Sequence, residues 1–176
     1  MCEKTDLDLF NSEGEALNIN QLCELINYFE KEQPMVYQGK GAFQRLFVHK
    51  RTGASKDEIK TLVSYFKTLN IPADLISFLR FSNGIGFFEY SDACFLSVDE
   101  IIELSEDAYD GFIKFANYNE DSFCLKCDGS ERNVYVREED IEEPRPLNMS
   151  FVAFVDACLI SGFSYFWLWG KENDLY

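Results

Sequence analysis

The chain writes the same helix start twice, Ser55-Lys-Asp-Glu58 and Ser97-Val-Asp-Glu100. In each, a serine hydroxyl can accept from the backbone N–H three residues on, while the glutamate reaches back to the serine N–H. Apolar residues follow both at helical spacing: Ile59, Leu62, Val63, Phe66 and Leu69 after the first, and Ile101, Ile102 and Leu104 after the second. Those positions predict core-facing stripes. Between them, Pro72 is placed for the first turn of another helix, where a missing N–H costs nothing. That helix offers Leu75, Ile76, Phe78, Leu79 and Phe81, and Ser82-Asn83-Gly84 ends it, with Gly84 supplying positive φ. A chain punctuated this firmly has little freedom in where its helices begin and end.

Outside these helices the pattern shifts towards strands. Ile85 to Tyr90 and Cys94 to Leu96 form one pair of candidates, and 112–116, 122–127 and 133–137 form three more. Asp128-Gly129 marks a turn between the last two. Residues 20–31 read as an amphipathic helix closed before Pro34, residues 35–50 resist assignment, and Glu142 to Pro146 reads as a loop because each proline pushes its predecessor out of helical geometry. Ser150 caps a last helix carrying Phe151, Phe154, Val155 and Cys158. Helices flank neighbouring strands without strict alternation, which points to α+β with an antiparallel or mixed sheet flanked by helices. At 176 residues the chain suits a single domain. We divide it into an N-terminal extension with one helix, residues 1–34, and a domain over 35–176.

Charge and composition narrow the function. Thirty-one acidic residues face 16 basic ones, for a net charge of −15. A protein that tracks phosphates needs a basic surface, so direct nucleic-acid binding is disfavoured. A single histidine, His49, leaves few routes to acid–base or metal chemistry. The acidic clusters show no pair held across a cleft, as a glycosidase requires. No G-x-S-x-G nucleophile motif occurs, and Asn83-Gly84-Ile-Gly86 lacks the strand–turn–helix setting of a phosphate loop. Cys124-Leu-Lys-Cys127 has no second ligand pair for zinc, and in a strand its two sulfurs diverge. These readings point to a binding protein without cofactor or metal, not an enzyme.

The N-terminus shows neither a basic leader nor an apolar run, so the expected location is cytoplasmic with reduced cysteines. Across 151–169 only Asp156 is charged, yet Ser161, Gly162 and Ser164 interrupt the run. A buried helix followed by an apolar strand fits it better than a membrane span, and no membrane insertion is expected. The aromatics from Phe163 to Trp169 are read as core; were they exposed, Trp167 or Trp169 would suit an interface anchor.

From Asp99 to Glu143 there are 15 acidic and 4 basic residues. Glu138, Glu139, Asp140, Glu142 and Glu143 form the densest part, with Glu120 and Asp121 upstream. This window reads either as a docking face for a basic protein partner or as a solvated surface that keeps the chain soluble.

The order of motifs resembles the SUKH superfamily, which includes Smi/Knr-type cell-wall regulators and many bacterial immunity proteins. Gly53-Ala54-Ser55-Lys56-Asp57-Glu58-Ile59 is similar to the family's "G-A-S-x-x-E-I" opening of a first core helix. Ile71-Pro72-Ala73-Asp74-Leu75-Ile76-Ser77-Phe78-Leu79 resembles its "L-P-x-D-y-x-x-F-L" helix, ended by the "x-N-G" at Ser82-Asn83-Gly84. Phe95 to Ile101 resembles a strand-to-helix step, and Ser150 to Val155 a terminal "S-F-x-e-F-l" helix. The likeness is strongest over residues 50–160. Where the family often carries Gly-Asp, this chain has Asn119-Glu120-Asp121-Ser122. Within the resemblance Ser55, Glu58, Pro72, Asn83 and Gly84 are structural. It implies a scaffold without a catalytic centre, acting as an immunity protein that binds a cognate toxin, possibly a nuclease. The alternative it leaves is a regulatory adaptor that recruits an enzyme or a secretion component.

Overall fold

A computed structural model describes residues 17–37, 43–87, 90–104, 111–138, 143–163 and 166. Helix α1 (Ile19–Glu32) starts at Asn18, whose side chain accepts from the N–H groups of Asn20 and Gln21. Gln21 Oε1 completes the capping box by accepting from the Asn18 N–H at 3.0 Å. Leu22, Leu25, Ile26 and Phe29 are buried, and Gln33 turns left-handed ahead of Pro34 to end the helix. The segment that resists assignment holds three short strands, β1 (Met35–Tyr37), β2 (Phe43–Arg45) and β3 (Val48–Lys50). Each spans three residues, too few for alternation to register. Among the described residues β1 and β2 pair only with each other.

Helix α2 (Lys56–Tyr65) follows Ser55, then α3 (Ala73–Phe81). Ile59, Leu62 and Phe66 are buried as expected, but Val63 is 48 % exposed. It lies about 100° round the axis from Leu62, outside the stripe that meets the core. Pro72 stands one residue earlier than expected, as the N-cap of α3, with its carbonyl accepting from the Ile76 N–H.

The remaining elements are β4 (Ile85–Phe87), β5 (Tyr90–Phe95), α4 (Val98–Glu103), β6 (Phe112–Tyr118), β7 (Asp121–Lys126), β8 (Val134–Arg137), β9 (Arg145–Pro146) and α5 (Phe151–Ser161). Strands β3 to β9 form one seven-stranded sheet in sequence order, every pairing antiparallel. The chain is thus α+β, with α2 and α3 inserted between β3 and β4, and α4 between β5 and β6. Several strand bounds differ from expectation; β6, for one, runs to Tyr118 and not to Ala116. The second strand of the first hairpin begins at Tyr90 and stops before Leu96. Arg145–Pro146, expected in a loop, pairs with Val136 and Tyr135 as β9. At the edge of a sheet a proline has no ladder N–H to forfeit.

Helix α5 is capped by Ser150, whose hydroxyl accepts from the Ala153 N–H, and it lies against α1, α3 and β1. Phe154 sits at the centre of a phenylalanine cluster, with ring centroids 4.7 Å from Phe123, 5.5 Å from Phe115, 6.4 Å from Phe163 and 6.5 Å from Phe95. Gly162 and Phe163 take positive φ and stop the helix. No described helix is long and apolar enough to cross a membrane. Phe163 is buried and Phe166 packs against the core; Trp167, Trp169 and the strand expected there lie outside the described residues.

Candidate binding surface

The motif residues converge on one polar cluster. Ser55 and Glu58 complete a capping box, the Ser55 N–H reaching Glu58 Oε2 at 2.7 Å. Ser97 and Glu100 complete a second, with the same N–H to carboxylate distance. Asn83 ties them together: its Nδ2 donates to Glu58 Oε1 at 2.9 Å, and its Oδ1 accepts from the Val98 N–H at 2.8 Å. One amide thus satisfies a carboxylate at the start of α2 and an orphan N–H at the start of α4. Arg51 closes the cluster with a two-pronged pair to Glu100, at 3.0 and 3.1 Å. The backbone around it is drawn in just as closely. Gly53 lies so near the end of α3 that an added Cβ would stand 2.0 Å from the Arg80 carbonyl oxygen, and Gly84 has φ +97°.

These bonds set the ionisation of both glutamates. The Ser55 hydroxyl and N–H, with Asn83, hold the Glu58 carboxyl below its usual value. Burial pushes Glu100 the other way, but the Ser97 N–H and hydroxyl and the Arg51 guanidinium outweigh it. The cluster is consumed in joining three helices and presents no reactive group.

The acidic residues are brought together by sheet register. β6 turns into β7 at Asn119, which has φ +49°, and Tyr118 faces Asp121 across that turn. Ser122 faces Arg137 on β8, so Glu120 and Asp121 share one end of the sheet with Arg137 and Glu138. Glu143 is exposed where the chain returns towards β9. Glu139, Asp140 and Glu142 lie outside the described residues.

This end also carries counter-charge that the linear pattern conceals. Arg145 on β9 donates to Glu138 at 3.0 Å, with the two side chains 31 % and 20 % exposed. Arg145 Nε is buried without a partner among the described residues. The β8–β9 pairing joins these residues, and a two-residue edge strand containing proline has no pattern of its own, so no sequence signal marked Arg145.

The groups with chemical potential lie apart from this end or are silenced. His49 is exposed on β3. Burial raises the Cys124 thiol to about 11 and Cys127 to about 12, so both stay protonated near neutrality and make poor nucleophiles or ligands. Burial also raises the Asp156 carboxyl. Among the described residues no three His, Cys, Asp or Glu side chains gather as metal ligands would.

Among curated proteins no match is found. The family model of the SMI1 / KNR4 family (SUKH-1) matches residues 53–157. That stretch opens at Gly53, contains both capping boxes and the Asn83 tie, spans β4 to β9, and ends within α5. It covers more than half of the chain, and the chain belongs to the SMI1 / KNR4 (SUKH-1) family.

Proposed function

We propose that this chain is a non-catalytic immunity protein that neutralises a cognate toxin by direct binding. The observation that carries the reading is the register that gathers Glu120 and Asp121 at one sheet end, beside a Glu138 already paired with Arg145 and with Glu143 in the strand's return. The acidic run of Glu139, Asp140 and Glu142 lies between Glu138 and Glu143 in sequence. A toxin domain that handles phosphate, as a nuclease must, is basic around its active site and is the natural complement. An acidic face of this kind speeds encounter and rejects acidic competitors, while apolar contacts supply the residual affinity. Family membership supports a protein partner, and the buried, protonated thiols fit a non-catalytic role.

The test is association of the purified chain with the toxin-like domain encoded beside its gene, followed by stopped flow at low and physiological salt. Neutralising Glu120, Glu139, Asp140, Glu142 and Glu143 to their amides should slow association by about tenfold at low salt and change dissociation little. Expression of the chain should rescue growth against that toxin. Association that ignores both salt and the five substitutions would remove the acidic end from the mechanism. Recovery of a host enzyme or secretion component instead of a toxin would favour a regulatory adaptor.

A further inference from the structure

A stretch of positive balance in this acidic chain surrounds a groove. Residues 50–80 hold six basic and three acidic side chains, in a protein whose whole length carries 16 against 31. Along the outer side of α2, beside the end of α3, runs a groove of about 760 Å³. Ala54, Ile59 and Val63 form its apolar floor, and Lys56, Lys60 and Arg80 stand exposed around it. No carboxylate is among the described residues that line it. Of the three acids nearby in sequence, Glu58 is held by Ser55 and Asn83, and Asp74 lies in the first turn of α3. Asp57 meets Lys60 at 3.2 Å in a pair that is almost fully exposed, a contact of little energy that a better-placed carboxylate can replace.

Val63 gives the groove its meaning. It sits in the helical pattern as a core residue would, yet the core does not take it, and its half-exposed side chain continues the buried Ile59 outward. An apolar strip flanked by cations on a helix of about three turns is the complement of a helix with one apolar and one acidic face.

We infer that the α2–α3 groove docks an acidic amphipathic helix of a protein partner. Its carboxylates meet Lys56, Lys60 and Arg80, and its apolar side chains lie on Val63 and Ile59. This site is separate from the acidic sheet end and does not depend on toxin binding.

The probe is a fluorescein-labelled peptide of about four helical turns with Leu on one face and Glu on the other, titrated into the full-length chain. Matched peptides carry Gln or Lys in place of Glu. The Glu peptide should bind about tenfold more tightly than the Gln peptide and weaken with salt, and the Lys peptide should not bind. Lys60→Glu with Arg80→Glu should reduce binding by about tenfold or more, with the circular dichroism spectrum unchanged. Val63→Ser, which leaves every charge in place, should weaken it independently. Equal binding of the Glu and Lys peptides, absence of binding by the Glu peptide, or indifference to both variants overturns the proposal. Concentration-dependent self-association of the chain alone, abolished by the same double variant, would overturn it in favour of a second copy as occupant.

Discussion

Asn83 does its work by facing two ways at once. Its amide nitrogen meets a glutamate whose other bonds cap α2, and its carbonyl oxygen meets the first N–H of α4. No hydrophobic side chain of similar size can replace either half. Asn83→Ala should therefore cost about 3 kcal/mol, because it strands the Val98 N–H as well as removing a bond to a charged group. Ser55→Ala removes one cap bond and should cost about 1 kcal/mol. Urea denaturation of the two variants measures the difference, with equal slopes showing that the unfolded states are comparable. Similar losses would mean that Asn83 is no more than another cap. The dipeptide Asn83-Gly84 was legible as a helix stop, but its second role was not: a stop signal is local, whereas the bond to Val98 spans a hairpin.

At the scale of elements, α5 is held less by its own periodicity than by what surrounds it. Seven of its residues are buried on one half of the helix, but the other half carries Ala153, Ala157 and Ile160, so polarity contrast alone does not orient it. Ring contacts orient it instead, with Phe154 touching side chains from β5, β6 and β7. Phe154→Ala should lower stability by about 4 kcal/mol, since rings on three strands cannot collapse together into the space left. Phe43→Ala, on a strand where that ring is 65 % exposed, should change stability by less than about 0.5 kcal/mol. Thermal unfolding of both variants tests the contrast, and comparable shifts would show that the β1–β2 hairpin is part of the cooperative core. The start of α5 was legible at Ser150, because capping is read from a few adjacent residues. The pairing of β9 was not, because a two-residue edge strand containing proline has no pattern of its own and exists through β8.

Across the whole molecule, charge couples the fold to pH. Glu58 and Glu100 are held below their ordinary 4.5, and Asp128 is lowered to about 2 by the Ser130 hydroxyl and N–H and by Lys126. Each bonds best when ionised, so its contribution is whole above the ordinary value and is lost as pH falls through the depressed one. Asp156 works in the opposite sense. Burial raises its carboxyl, so the ionised form opposes folding near neutrality and acidification relieves that cost. Stability should thus fall as pH drops below about 4.5, and replacing Glu58 and Glu100 with Gln should flatten that fall. Asp156→Asn should stabilise the protein at pH 7 and have less effect in acid. Chemical denaturation between pH 3 and 7 follows both trends, and a destabilising Asp156→Asn at neutral pH would show that its carboxylate has a partner worth more than its burial costs.

The candidate surfaces divide along the same line as the fold. By itself the sequence determined where α2, α4 and α5 begin, where α3 stops, that strands dominate the middle, and that the chain is acidic. These follow from contacts within a few residues, or from composition, and need no knowledge of the rest of the chain. Tertiary structure alone decided that Asn83 joins two capping boxes, that Arg145 takes Glu138 out of the acidic run, and that Glu120 and Asp121 stand beside β8. It also turned Val63 from an expected core residue into the floor of a basic groove. Each of these depends on strand register or on helices packing across long stretches of chain. Such partners are chosen by the mutual fit of distant surfaces, and local spacing carries no trace of that fit.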